Sequence, residues 1–193
     1  MQMRRLIFLV AMMLVTASAS VAAPATQPAS PVVADITGVD RHPLDVSPSK
    51  AVVIIFISTD CPISNGYAPE INHICKDYES KGVSFYLVHS DPDLSAADAK
   101  KHAADYGFTC PVLIDRKHEI VKRVGATVTP EAVVLGADGK VQYSGRIDDL
   151  YVALGKKRYE ATTHDLRNAL DAILAGKPVA KPHTQAVGCA ISG

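Results

Sequence analysis

The stretch Ala51-Val-Val-Ile-Ile-Phe-Ile-Ser-Thr-Asp-Cys61-Pro62 sets the architecture of this chain. Its first seven residues are apolar and mostly β-branched, the pattern of a strand buried on both faces inside a sheet. Pro62 then suits the first position of a helix, where its missing N–H costs nothing. A cysteine just before that helix faces unpaired backbone N–H groups and the positive end of the helix dipole. Both favour thiolate over thiol, so Cys61 is the candidate nucleophile. An inert, buried thiol is the competing reading.

Outward from this point, strand-like and helix-like segments alternate. Before it, residues 35–44 form an extended lead-in. After it, residues 62–78 place Tyr67, Ile71, Ile74 and Tyr78 at helical spacing, and residues 83–89 repeat the buried-strand pattern. Ser95-Ala-Ala-Asp98 is a capping box for a helix ending at Tyr106. A short strand (112–115) and a short helix (118–124) follow. Residues 131–135 and 141–144 flank the turn Ala137-Asp138-Gly139-Lys140 and predict a hairpin. A last helix, opened at Thr162-Thr-His-Asp165, carries Leu166, Leu170, Ile173 and Leu174 on one face and stops at Gly176. The order predicts an α/β domain with a central mixed β-sheet and helices on both faces.

Composition excludes several functions. Twenty Lys+Arg balance 20 Asp+Glu in 193 residues, and no basic block is present, which argues against nucleic acid as a partner. No glycine-rich phosphate loop occurs, and the seven His form no pair at ligand spacing, so neither cofactor nor metal is expected. His73, His102 and His118 are expected on solvated helix faces.

The amino terminus has the order of a secretory signal peptide. Arg4 and Arg5 precede an apolar run from Leu6 to Val15, and small residues follow, with cleavage expected after Ala22 or Ala19. A ten-residue apolar run is too short for a hydrocarbon core that takes about 20 residues, so no stable membrane insertion is expected after cleavage. The expected divisions are a signal peptide (1–22), a Pro/Ala-rich tether (23–32), one domain (33–176) and a tail (177–193). The expected location is the periplasm or the exterior, where thiol pairs can persist as disulfides.

Four stretches in order, Asp60-Cys-Pro-Ile-Ser-Asn65, Val128-Thr-Pro-Glu131, Gly145-Arg-Ile-Asp-Asp149 and Val187-Gly-Cys-Ala-Ile191, resemble the redoxin branch of the thioredoxin fold, the alkyl hydroperoxide reductase/thiol-specific antioxidant superfamily. The likeness runs over about residues 33–176. It implies a three-layer thioredoxin-like fold, with Cys61 as nucleophile, Pro69 kinking the first helix and Pro130 as a cis-proline facing the thiol. It also implies that Asp60, Pro62, Thr129 and Glu131 border the substrate.

The chain departs from that pattern at informative places. Ser64 replaces the second cysteine of the Cys-x-x-Cys motif. A hydroxyl can hydrogen-bond a thiolate but cannot resolve a mixed disulfide. Ile55 stands where thioredoxin has its buried acid. Asp60 and Glu131 would raise the Cys61 pKa, against the helix terminus. Peroxidase chemistry is the runner-up: Ser58 supplies the hydroxyl it needs, but Ile54 replaces its proline, and Arg146 is the only nearby candidate for its arginine. A copper-chaperone reading fails at Asn65, where a second cysteine would be required. A binding module that has lost the dithiol is the non-enzymatic alternative.

Cys75 and Cys110 are expected to be separate packing thiols. Cys189 lies in a Gly-flanked tail with no packing role, and it is the candidate replacement for the missing resolving thiol. Thirteen residues beyond Gly176, it can reach about 43 Å at ~3.3 Å per residue, against a domain radius of gyration of about 15 Å. The expected activity is thiol–disulfide exchange with protein thiols and disulfides or small oxidants. A membrane or periplasmic electron donor would restore the thiols.

Overall fold

The computed structural model describes residues 30–191. The expected signal peptide, and the tether as far as residue 29, lie outside them. In chain order the elements are β1 (Val33–Ala34), β2 (Asp40–Arg41), β3 (Ala51–Ile57), α1 (Pro62–Gly66), α2 (Ala68–Glu79), β4 (Val83–His89), α3 (Ala96–Asp105) and β5 (Val112–Ile114). They continue as α4 (Glu119–Val124), β6 (Val128–Thr129), β7 (Glu131–Gly136), β8 (Val141–Gly145), β9 (Tyr151–Ala153), β10 (Lys156–Lys157), α5 (Asp165–Leu174) and β11 (Cys189–Ala190).

Five strands form the central sheet in the order β5-β4-β3-β7-β8. β3 pairs parallel with β4 and antiparallel with β7, so the sheet is mixed. All seven residues of β3 are buried, as its unbroken apolar run requires. Their side chains alternate between two cores. Val53, Ile55 and Ile57 pack with Ile63, Tyr67, Ile71 and Ile74 of the first helices and with Leu166 and Leu170 of α5. Val52, Ile54 and Phe56 pack on the other face with Ile120 and Val121 of α4. The fold is thioredoxin-like, with helices on both sides of the sheet.

Three local features differ from expectation. The first helix is broken rather than kinked: α1 caps at Tyr67, and α2 starts afresh with Pro69 in its first turn. A proline ring there would collide with the carbonyl four residues back, so the helix restarts before it. Tyr67 spans the break, its hydroxyl donating to Asp148 Oδ1 at 2.5 Å. Next, Cys75 and Cys110 are not separate thiols but are bonded to each other, joining α2 to the segment before β5.

The third difference is the tail, which is ordered against the domain. Ser144 bridges to His183, and the Thr184 N–H donates to the Ser144 carbonyl at 3.0 Å. Gly145 has φ +141, and a Cβ there would overlap the Thr184 carbonyl. The tail ends as β11, antiparallel to β6, with Cys189 opposite Thr129 and Ala190 opposite Val128.

Candidate functional site

Cys61 is the N-cap of α1, in extended conformation with φ −93 and ψ 107. Its position follows from the strand before it and the proline after it: β3 ends at Ile57, and the chain turns so that Pro62 occupies the first helical turn. Two contacts hold this turn. The Ser58 N–H donates to Ser64 Oγ at 3.2 Å, and Asn65 Nδ2 donates to the Thr59 carbonyl at 2.8 Å. Ser64, in the place of the absent second cysteine, thus binds the strand end rather than a sulfur.

The thiol is 0% exposed. In its protonated form Cys61 Sγ donates to the Thr129 carbonyl at 3.0 Å, the residue before the cis Thr129–Pro130 bond. Four donors favour the ionised form. Burial, the largest single influence, pushes the Cys61 pKa up. The Cys189 thiol and the backbone N–H groups of Ser64, Cys189 and Ile63 outweigh it and hold Cys61 below its ordinary value. Cys189 is pushed up to about 11, first by burial and then by its hydrogen bond to Cys61 and the charge there. Of the two thiols, Cys61 is therefore the one that ionises first.

The remaining expected residues divide. Pro62 is exposed and lies with Ile63, Tyr151, Leu154 and Cys189 around an apolar hollow beside the thiols. Thr129 and Pro130 are both buried, and the Thr129 carbonyl meets the Cys61 thiol. Asp60 is exposed, its N–H taken up by Ser58 Oγ. Glu131 was expected to act on Cys61. Its Oε2 instead accepts from the Thr127 N–H at 2.8 Å and from the Val128 N–H, holding the turn before β6. Arg146 pairs with Asp165 at 2.8 Å and reaches Thr163, so its guanidinium is committed away from the thiol.

Two features of the site were not expected. Gly188 presses on the Thr129–Pro130 peptide so closely that a Cβ would overlap the Thr129 carbonyl. The glycine before Cys189 was the visible signal for this approach. His89, at the end of β4, is 1% exposed and lines a cleft of about 270 Å³ together with Ser58, Thr129 and Cys189. His102 is buried too, against the solvated position expected for it, and packs edge-on to His89 with centroids 5.1 Å apart. His102 Nε2 is hydrogen-bonded to Asn65 Oδ1 at 2.9 Å, which joins α3 to α1. His73 is solvated as expected, whereas His118 is half-buried with its Nε2 against the Ser90 carbonyl. No group of three His, Cys, Asp or Glu among the described residues is placed to hold a metal.

A sulfur on the first turn of a helix, facing the strand that leads into a cis-proline, is the arrangement of thioredoxin-like proteins, and it places this chain in that class. Comparison narrows the class. The Redoxin family model matches residues 23–152, and the chain belongs to that family. A thiol-disulfide oxidoreductase ResA of Bacillus thuringiensis subsp. konkukian is 30% identical over 110 residues, which are 57% of this chain and 62% of that protein. The chain thus aligns with somewhat under two thirds of that relative's length. Two solved structures match over most of the chain. A hypothetical protein from Sinorhizobium meliloti has TM-score 0.74 and 27% identity, covering 84% of this chain and 90% of that one. An uncharacterized conserved protein from Geobacillus kaustophilus has TM-score 0.71 and 30% identity, covering 85% and 89%.

Proposed function

We propose that this redoxin is a thiol–disulfide oxidoreductase whose working pair is Cys61 and Cys189. The observation that carries the reading is the seat of Cys189: β11 places it opposite Thr129, and the Thr129 carbonyl is the group that accepts from the Cys61 thiol. Cys61, ionised at lower pH, attacks a substrate disulfide; one substrate sulfur joins Cys61 and the other leaves as a thiolate. The Cys189 sulfur then attacks Cys61, its proton passing to the departing substrate sulfur. The substrate leaves as a dithiol and the protein as the Cys61–Cys189 disulfide. Ser64 could not perform the second step, because an oxygen cannot take over the bond between two sulfurs. The likeness to ResA, a thiol-disulfide oxidoreductase, supports the same chemistry.

Export fits this reading, since the expected leader would deliver the chain to a compartment where disulfides persist. Among the described residues no helix is long and apolar enough to cross a membrane. Protein thiols and disulfides are the proposed substrates, with an external dithiol donor returning the pair to its reduced form.

Peptide mapping after reaction of the reduced protein with a low-mass disulfide tests the pair. A Cys61–Cys189 crosslink should accumulate in step with reduced substrate. A stable adduct on Cys61 with Cys189 still free would favour a binding module over an enzyme. Arg146, committed to Asp165, offers nothing to activate a peroxide, so stopped-flow reaction with hydrogen peroxide should be slow beside reaction with a disulfide. The opposite order would promote the peroxidase reading.

A further inference from the structure

Cys61 is 0% exposed, so in this conformation no external disulfide reaches it. The covering atoms are identifiable. The Thr129 carbonyl lies against the sulfur, the N–H groups of Ile63 and Ser64 point to it from α1, and the thiol and N–H of Cys189 face it from the tail. Of these, only Cys189 belongs to a terminal segment; the others lie on α1 and on β6, which leads directly into β7 of the central sheet. Its strand is two residues long, extended by a single Ile191 N–H to Thr127 carbonyl bond at 2.9 Å. Hydrogen bonds of that number hold a segment weakly compared with the central sheet.

A mixed disulfide on Cys61 fixes where a partner's chain must run. The two Cα atoms of a disulfide lie within about 7 Å, so the partner's backbone is confined to the space beside Thr129 that residues 188–190 now fill. The edge of β6 that β11 now occupies offers the same backbone groups to an incoming strand once the tail is displaced. The slot also has a steric rule written into it. The residue before the cysteine lies on the Thr129–Pro130 peptide, where a Cβ on Gly188 would overlap the Thr129 carbonyl and approach Pro130 N to 3.0 Å.

We propose, resting on the reading of Cys61 as the attacking thiol, that residues 187–191 are an internal stand-in for substrate, and that the substrate is an extended polypeptide whose reacting cysteine is preceded by glycine. Such a strand displaces the tail, pairs antiparallel with Val128–Thr129 and presents its disulfide to Cys61. The Cys61 sulfur bonds the partner's cysteine sulfur, and the partner's second sulfur leaves with the electron pair and takes a proton from water. The tail then returns. Cys189 displaces the partner strand from both the disulfide and the slot in one movement, giving up its proton to the leaving sulfur. Two electrons pass from the Cys61/Cys189 pair to the partner disulfide.

The test uses the full-length Cys189→Ser protein with its Cys75–Cys110 disulfide kept intact, so that Cys61 is the one thiol left to react. It is mixed with Val-Gly-Cys-Ala-Ile or Val-Ala-Cys-Ala-Ile peptides, each carrying thionitrobenzoate on its cysteine, and release of the chromophore is timed. The symmetric thionitrobenzoate disulfide, which needs no strand, is the control. The glycine peptide should react about tenfold faster than the alanine peptide, the step that about 1.4 kcal/mol produces. A smaller ratio, with the control reacting normally, overturns the strand proposal and leaves the role of Cys61 standing. Failure of the control to react removes the nucleophile itself, and both readings fall.

A second variant checks the stand-in. Gly188→Ala, with both thiols retained, should lift the tail and raise the rate of Cys61 alkylation about tenfold. An unchanged rate counts against the tail as the covering strand. A dimer carrying crossed Cys61–Cys189 disulfides would assign the slot to a second copy of this chain and overturn the partner assignment.

Discussion

Cys189 stands opposite Thr129 in the antiparallel pairing of β11 with β6, and the carbonyl of Thr129 is the acceptor for the Cys61 thiol. One residue therefore sets the spacing of both sulfurs: its backbone seats the tail on one side and meets the nucleophile on the other. In the pair proposed above, the thiol missing at Ser64 comes not from the helix but from the tail.

Removal of Cys189 should make Cys61 harder to ionise. The Cys189 thiol is the strongest of the donors that offset burial at Cys61. In Cys189→Ala that donor is gone while the backbone N–H groups of Ile63 and Ser64 remain, so the Cys61 pKa rises. Iodoacetamide alkylation followed against pH should give a higher midpoint for Cys61 in the variant than in the parent. A midpoint that stays or falls would show that opening the site to water matters more than the lost hydrogen bond.

Gly145→Ala should loosen the tail at its other anchor. A side chain at φ +141 is strained, and its Cβ would overlap the Thr184 carbonyl, so Thr184 must leave Tyr143 and the Arg146 N–H. Backbone strain of that kind costs about 1–3 kcal/mol. Urea denaturation should show a loss of that size, together with faster alkylation of Cys189 in the folded protein. A loss of stability with Cys189 unchanged would mean that the β6–β11 pairing alone holds the tail.

The parts of this fold legible in the sequence are those governed by local pattern. The β3 run could only be a central strand, and Ser95 caps α3 by accepting the Asp98 N–H at 3.0 Å, as its motif predicts. Cys61 and Pro130 were legible as a pair only through family resemblance, since they lie 69 positions apart. The packing of the tail was not legible, because its one strand, β11, and His183 and Thr184 before it are held by distant partners that periodicity does not register. The Cys75–Cys110 bond was missed for a related reason: four cysteines allow three complete pairings, and spacing does not choose among them. For His102 a signal was present. Ala99 and Ala103 are buried on the same helical face, at the three- and four-residue spacing that should have carried His102 inward with them.

Tyr67→Phe should destabilise the join between the first helix and the loop after β8. The Tyr67 hydroxyl donates to Asp148 Oδ1, and both residues are buried. Burial, and then Asp148, raise the tyrosine pKa, so the proton stays on the phenol and the carboxylate is the acceptor. Without it Asp148 keeps the Leu150 N–H at 2.8 Å but loses a donor in a buried place. The expected cost is about 1–3 kcal/mol by urea unfolding at neutral pH. A change within experimental scatter would mean that water enters to replace the hydroxyl.

His89 should make the protein less stable in mild acid. Burial first, and then the neighbouring His102, lower its pKa from 6.5 to about 4, and its Nε2 has no hydrogen-bond partner. The sign follows from where the proton goes. Below pH 6.5 the unfolded chain protonates this imidazole while the folded chain does not until about pH 4, so protons favour unfolding throughout that interval. By about pH 4.5 the loss from this one group is roughly 2–3 kcal/mol relative to neutral pH. His102, also lowered by burial, acts in the same direction. In His89→Gln the 89 contribution disappears, so the stability gap between parent and variant at pH 7 should narrow by that amount at pH 4.5. Parallel urea midpoints across the two pH values would show that His89 takes up its proton in the folded protein as readily as in the unfolded chain, and that the cleft beside Cys189 admits enough water to solvate it.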